Sequence, residues 1–254
     1  NTNNSGSTIT NTLLNATSNT GTVTYSITPT ANACSGTAVT TTITVNPVAQ
    51  MTGLNNISVC PGANIAPPAF QSIPAGASFT WTNSNTNIGI PASGQGNLVA
   101  WNAPINNSIN PIVGLIIVTP TIGNACAGVT DTIVVTVYPT PQITNAPLQQ
   151  TLCEGTPTAP VNITSNLAGS TLTWNFSTAG GGLSGHPVGS GNNPIPAMTF
   201  SNNVSTQQTA QYTLSAVSTN QCPSLPVTYT FNVNPIPVLT NPGDTIQIIA
   251  EALS

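Results

Sequence analysis

Apolar and polar residues alternate one by one along much of this chain. The runs Val23–Ile27, Thr42–Val45, Phe79–Trp81, Thr132–Val137, Thr171–Trp174, Tyr212–Leu214 and Thr228–Val233 all follow this pattern. Period two with β-branched and aromatic residues places one face of a strand against a core and the other against water. The 23 Pro and 21 Gly are spread along the chain, so turns interrupt every run. No stretch has the 3.6-residue periodicity of an amphipathic helix. The pattern predicts an all-β chain built as β-sandwiches.

The pattern also repeats. Residues 31–47 (ANACSGTAVTTTITVNP) resemble 123–139 (GNACAGVTDTIVVTVYP) and 218–235 (STNQCPSLPVTYTFNVNP). In each copy Pro follows Cys by 13 positions: Cys34 to Pro47, Cys126 to Pro139, Cys222 to Pro235. A second landmark spaces Trp 21 positions after Cys, at Cys60 to Trp81 and Cys153 to Trp174. The strand before the turn recurs as SITPT (26–30), IVTPT (117–121) and SAVST (215–219). The period is 92 to 96 residues. Residues 48–139 and 140–235 then read as complete repeats. Residues 1–47 match the C-terminal half of a repeat, with Gly6 standing where Gly96 and Gly191 stand, and 236–254 match the start of another. On this phasing the chain is a stretch of a longer array; a divergent half-domain that dimerises is the alternative.

The repeat gives the five cysteines an expected order. Cys60 is expected to pair with Cys126, and Cys153 with Cys222, tying each opening segment to the final hairpin. Cys34 is left for a partner upstream of the chain. Loops of 66 and 69 positions would each contribute roughly 4 kcal/mol on a chain-entropy account. Disulfides imply an oxidising, extracytoplasmic compartment. There is no Cys-x-x-Cys, and the single His lies far from any cysteine pair, so no metal site is expected.

Charge narrows the function further. The chain has no Lys or Arg, four acids and one His; 42 Thr and 32 Asn carry its polarity. Without cations it has no means of neutralising phosphates, so nucleic acid is not a partner. Phosphate-binding loops, Schiff-base chemistry and attraction to anionic lipid are excluded for the same reason. The longest apolar run, Ile112–Val118, is far below the roughly twenty residues of a spanning helix, so membrane insertion is not expected.

The segments ITPTANACSGTAVTTTITVNP (27–47), VCPGANIAPPAF (59–70) and FTWTNSNTNIGIPASGQGN (79–97) closely resemble the PKD-like repeats of giant Bacteroidota surface proteins. These include the SprB-like adhesins moved by the gliding machinery. The resemblance covers nearly the whole chain. It implies tandem immunoglobulin-like sandwiches, export by the type IX secretion system, and display on the cell outer surface or release. It also implies a structural role as stalk or filament, serving gliding or attachment, and no cofactor. The partners it implies are neighbouring repeats, with lateral self-association, surface polysaccharide or the secretion and gliding machinery beyond them. Pro-containing linkers at 46–48, 138–141 and 234–237 would stiffen such an array.

Catalysis is poorly provided for. His186 lies in the Gly-rich stretch 180–191 with Ser184 and Ser190 nearby, but no Gly-x-Ser-x-Gly elbow surrounds them, and the reading is an exposed loop histidine. Asp131, Glu154, Asp244 and Glu251 are too scattered for paired-carboxylate or calcium chemistry. Asp131-Thr132-Ile133 and Asp244-Thr245-Ile246 resemble the O-glycosylation acceptor of Bacteroidota, making Thr132 and Thr245 candidate sites; strand initiation is the competing reading. Sequons at Asn3, Asn15, Asn56, Asn106, Asn162, Asn175 and Asn203 are expected from composition alone. A carbohydrate-binding module is the alternative function. Trp101 is its best residue, although its repeat equivalents, read as Leu14 and Phe200, favour core.

Overall fold

The computed structural model describes residues 6, 8–15, 17–123 and 126–238, and of Cys126 the backbone alone. The chain divides into two compact units, Asn1–Pro139 and Thr140–Ser254. Every run predicted from alternation lies in a strand.

In the first unit, β1 (Gly21–Ile27) and β2 (Val39–Val45) form an antiparallel hairpin, from Gly21↔Val45 to Ile27↔Val39. There follow β3 (Ile57–Val59), β4 (Ser78–Asn83), β5 (Ser93–Gln95), β6 (Ile112–Ile122) and β7 (Asp131–Val137). They build one sheet in the order β5-β4-β6-β7-β3. All pairs are antiparallel except the last. There β3 runs parallel to β7, with Ile57↔Val135 and Val59↔Val137. The alternation does what the sequence dictates. Ile116 and Val118 on β6 and Ile133, Val135 and Val137 on β7 point inward and are buried, while Val113, Leu115 and Ile117 face outward. A second, fragmentary layer closes the core. It comprises the paired strands Gln50–Thr52 with Gln71–Ile73 and Asn64–Ile65 with Trp101–Asn102, and the short 3-10 helix Thr86–Ile88. Ile43, which stands in the repeat where buried Val135 does, is 43% exposed. The linker residues Pro47 and Ala49 are buried in this unit. The amide of Val129 donates to the Ala49 carbonyl (3.0 Å).

The second unit repeats the plan with β8 (Gln149–Cys153), β9 (Thr171–Ala179), β10 (Ser190–Asn192), β11 (Gln208–Val217) and β12 (Val227–Asn234). Their order is β8-β12-β11-β9-β10. The opening strand β8 again runs parallel to the last strand, over five pairs from Gln149↔Thr230 to Cys153↔Asn234. Its core is richer in aromatics: Tyr212, Tyr229, Phe200 and Phe231 are buried with Trp174, and Phe231 lies 5.8 Å from Tyr212.

The parallel pairing of first and last strands decides what lies at each pole. Each unit receives the chain at the pole holding the hairpin before its last strand, and releases it at the other. In the first unit the incoming Gln50 bridges to Val129, just after that hairpin. In the second, the incoming Gln142 accepts at its carbonyl from the amide of Asn166, and Gly169, three residues on from Asn166, lies against Thr219 in the hairpin.

Candidate functional site

The expected disulfides do not survive this geometry. Cys153 is free and exposed. Cys222 is buried and disulfide-bonded, so the Cys153–Cys222 bond is absent. Register explains why. Cys153 pairs with Asn234 at the outgoing end of β12, whereas the Cys222 carbonyl accepts from Ser218 at the incoming end. The gap is about ten strand positions, roughly 33 Å, against the 7 Å between Cα atoms that a disulfide tolerates. The first unit has the same arrangement. Cys60 follows Val59, which pairs with Val137, while the Cys126 backbone pairs with Ile122 at the opposite end of β6. Ile112↔Val137 marks one end of that strand, again ten positions from Ile122. Cys60 is disulfide-bonded, but Cys126 is out of its reach. Cys34 is free and exposed.

The three tryptophans are core residues. Trp81 and Trp174 are each 7% exposed. The Trp174 indole donates to the carbonyls of Asn192 (3.0 Å) and Pro194 (3.2 Å). Each ring lies against a glycine of the edge strand. A Cβ on Gly94 would sit 2.2 Å from Trp81, and one on Gly191 2.5 Å from Trp174. Gly94, not Gly96, is therefore the partner of Gly191 in the repeat. Trp101 is half-buried, packs against the first unit's core and donates to the Ile88 carbonyl (3.1 Å). Its repeat equivalent is also corrected. The Ala103 and Phe200 carbonyls accept from Gly62 and Gly155, which match each other, so Met198 stands where Trp101 does.

One set of residues escaped the sequence reading. The side-chain amide of Asn15 donates to the carbonyls of Asn19 (2.7 Å) and Val45 (2.8 Å). Asn106 donates to Asn110 (2.9 Å) and Val137 (3.0 Å). Asn202 donates to Thr206 and Val233, both at 3.0 Å. In each case the side-chain oxygen accepts from the backbone two residues on. These are one residue seen three times, tying a loop to the end of the last strand. The only signal in the sequence was an Asn 30 or 31 positions before a Val at or next to the end of a strand. The sequon at Asn106 is accordingly structural: the residue is 2% exposed and its amide is fully engaged.

His186 is not the exposed loop histidine expected. It is half-buried and stacked on Phe176, with ring centres 4.9 Å apart and planes inclined by 24°, and Phe200 lies 6.0 Å away. The neighbouring Tyr212 is fully buried and donates to the Pro187 carbonyl (3.0 Å). Burial pushes its pKa up to about 12. The imidazole serves as one more ring in an aromatic layer.

The PKD-like domain family matches residues 1–49 and 150–237, more than half of the sequence. The chain belongs to the PKD-like domain family. No curated protein matches it. Among solved structures it is similar to the extracellular cadherin domains 3–6 of protocadherin gamma B2, with 10% identity and a TM-score of 0.39. That likeness covers 79% of this chain and 55% of the protocadherin fragment, so the chain spans little more than half its length. It is also similar to domains EC1-2 of human protocadherin-24 (13% identity, TM-score 0.38, 74% of this chain and 99% of that). The fibronectin(III)-like modules of Clostridium thermocellum CbhA share 11% identity at a TM-score of 0.26, over 74% of this chain and 95% of that.

In this PKD-like chain the outer face of the first unit's sheet carries a shallow depression lined by Thr80, Thr82, Ser93, Gln95, Ile117 and Thr119. Trp81, the one aromatic bordering it, is buried. Among the described residues no three His, Cys, Asp or Glu side chains come together. Thr132 is exposed, on the part of β7 that extends beyond the pairing with β3, and its amide is held by the Asp131 carboxylate (2.7 Å). Thr245 lies outside the described residues.

Proposed function

We propose that this chain is a load-bearing stalk segment of a large secreted bacterial surface adhesin. One observation carries the reading: within a unit the opening strand runs parallel to the last, so the chain crosses from pole to pole. A domain wired this way is a spacer, adding its own length to an array each time it is repeated. Placement of Trp81 and Trp174 in the core, with Trp101 half-buried against it, removes the aromatic platform that a carbohydrate-binding module would offer. Disulfide-bonded Cys60 and Cys222 are in keeping with an extracytoplasmic location. The resemblance to Bacteroidota gliding adhesins supports the finer reading of a type IX secretion cargo displayed on the outer surface, with domains at 1–47, 48–139, 140–235 and 236–254.

Electron microscopy of proteins carrying two, four and six complete units tests this. The expected result is a fibre that lengthens by about 35–40 Å per unit, the length of a sandwich with its loops. The same proteins should show no saturable binding to polysaccharides. Length independent of repeat number, or glycan binding tighter than about 1 mM, would overturn the reading.

A further inference from the structure

We propose that the outer face of the first unit's sheet docks on the same face of a second copy of this chain. The second unit shows that the fold does not dictate what this face carries. Gly114↔Val135 in one unit and Ala210↔Phe231 in the other are the same pair, because Val135 and Phe231 each follow a repeat cysteine by nine positions. Val113, Leu115, Ile117 and Val134 therefore stand where the second unit has Thr209, Gln211, Thr213 and Thr230. Alternation turns all eight away from their cores. Only the first unit presents aliphatic side chains there, with Val113 44% and Leu115 and Ile117 each 42% exposed. They form one stripe: Leu115 pairs with Val134, and Ile117 has Thr132 on one side and Thr82 on the other. A contiguous exposed apolar patch marks a contact surface, where single exposed residues would not.

Three features commit the face to its own copy. The first is chemistry. The stripe is flanked by Thr80, Thr82, Thr132 and Thr136, whose hydroxyls both donate and accept. The one carboxylate on these strands, Asp131, belongs to the other side of β7 by alternation. A face with no charge and with two-way hydrogen-bonding groups needs no partner of opposite kind. The second is shape. The depression lies towards the Ile117–Thr119 end of β6, and exposed Val113 and Leu115 lie towards the other. A two-fold axis near the middle of β6 sets the aliphatic end of each copy over the hollow of the other, the isologous contact of a symmetric dimer. The third is area. The five strands hold 30 residues, each covering about 3.4 Å by 4.8 Å, so the face measures roughly 500 Å². Two such faces bury on the order of 1,000 Å², the size of a weak, reversible contact.

The test is sedimentation velocity of the 254-residue chain with its free thiols alkylated. A sugar on Thr132 would stand on this face beside Ile117, so the protein is made without glycosylation. The expected result is monomer at about 5 μM and dimer as the main species at about 1 mM. The double variant Leu115→Gln with Ile117→Thr takes the residues that the second unit already carries at the matching positions, so its fold should be kept, with dimerisation weakened at least about tenfold. Thr82→Asp, at an exposed position, sets a like charge on the face of each copy and should abolish the dimer. A parent chain still monomeric at about 1 mM would overturn the proposal. So would either variant, folded, dimerising as tightly as the parent. Loss of the dimer in Val39→Thr with Ile43→Thr would place the contact on the exposed hairpin β1–β2 and overturn it too. None of these readouts depends on fibre length or glycan binding, so this contact and the stalk reading can fail separately.

Discussion

Replacing Asn202 by Ala should destabilise the second unit while leaving its strands intact. The residue is 3% exposed, and its amide gives two hydrogen bonds of 3.0 Å while its oxygen accepts one of 3.2 Å from Val204. Thr206 and Val204 are exposed, so water can replace two of the three bonds at little cost. The third is different. Val233 is fully buried, so water cannot take the place of the amide at its carbonyl. A buried hydrogen bond of this kind is worth about 0.5–1.5 kcal/mol, and the exposed bonds add about 0.5–1 kcal/mol. The sum, about 1–2.5 kcal/mol, corresponds to a fall in Tm of roughly 4–20 °C for a domain of this size. Differential scanning calorimetry should show one transition displaced and the other unmoved. Asn106→Ala should displace the other transition by a similar amount. Asn15→Ala, at a half-exposed position, should have a much smaller effect. A displacement below about 3 °C for Asn202→Ala would refute the claim that the repeated asparagine closes the end of the last strand.

Other consequences follow from the same structure. Gly191→Ala sets a methyl 2.5 Å from Trp174, so the ring must move; overpacking of this kind costs about 1–3 kcal/mol, and the tryptophan emission should shift to the red. An unchanged spectrum and urea midpoint would show that the ring has room. Tyr212, with its pKa raised to about 12, keeps its proton in the folded state longer than the unfolded chain does at its ordinary value of 10. That contribution is fully present below pH 10 and is lost as the pH climbs from 10 towards 12, with the raised pKa of Tyr229 acting in the same sense. Urea midpoints at pH 8, 10 and 11.5 should be flat and then fall, and Tyr212→Phe should soften the fall. Native protein should carry a hexose-containing addition on exposed Thr132; unmodified peptide from the native host would leave Asp131-Thr132-Ile133 as a strand start alone.

The strands were legible because a half-buried β-strand writes its pleat into the sequence, and Thr228–Val233 is as clear an example as Thr132–Val137. The repeat was legible for a related reason: Cys-to-Pro and Cys-to-Trp spacings mark fixed steps along one plan. Neither signal says which strands are neighbours. The short opening strands β3 and β8 could have lain either way along the last strand, and a parallel choice sends Cys60 and Cys153 to the far pole. The within-repeat pairing failed at that point, because it took one cysteine pair per period as proof of nearness. His186 was misread because its Gly-rich surroundings look like open loop, whereas the ring stacks on Phe176 with Phe200 tilted beside it. Asn15, Asn106 and Asn202 were hidden by composition, since in a chain with 32 Asn three more attract no notice.

The side-by-side course of β8 and β12 has a mechanical consequence. Tension along the chain pulls β8 back from its start and β12 forward from its end. The five pairs between them are loaded in shear, with their hydrogen bonds lying across the pull, so they yield together rather than one after another.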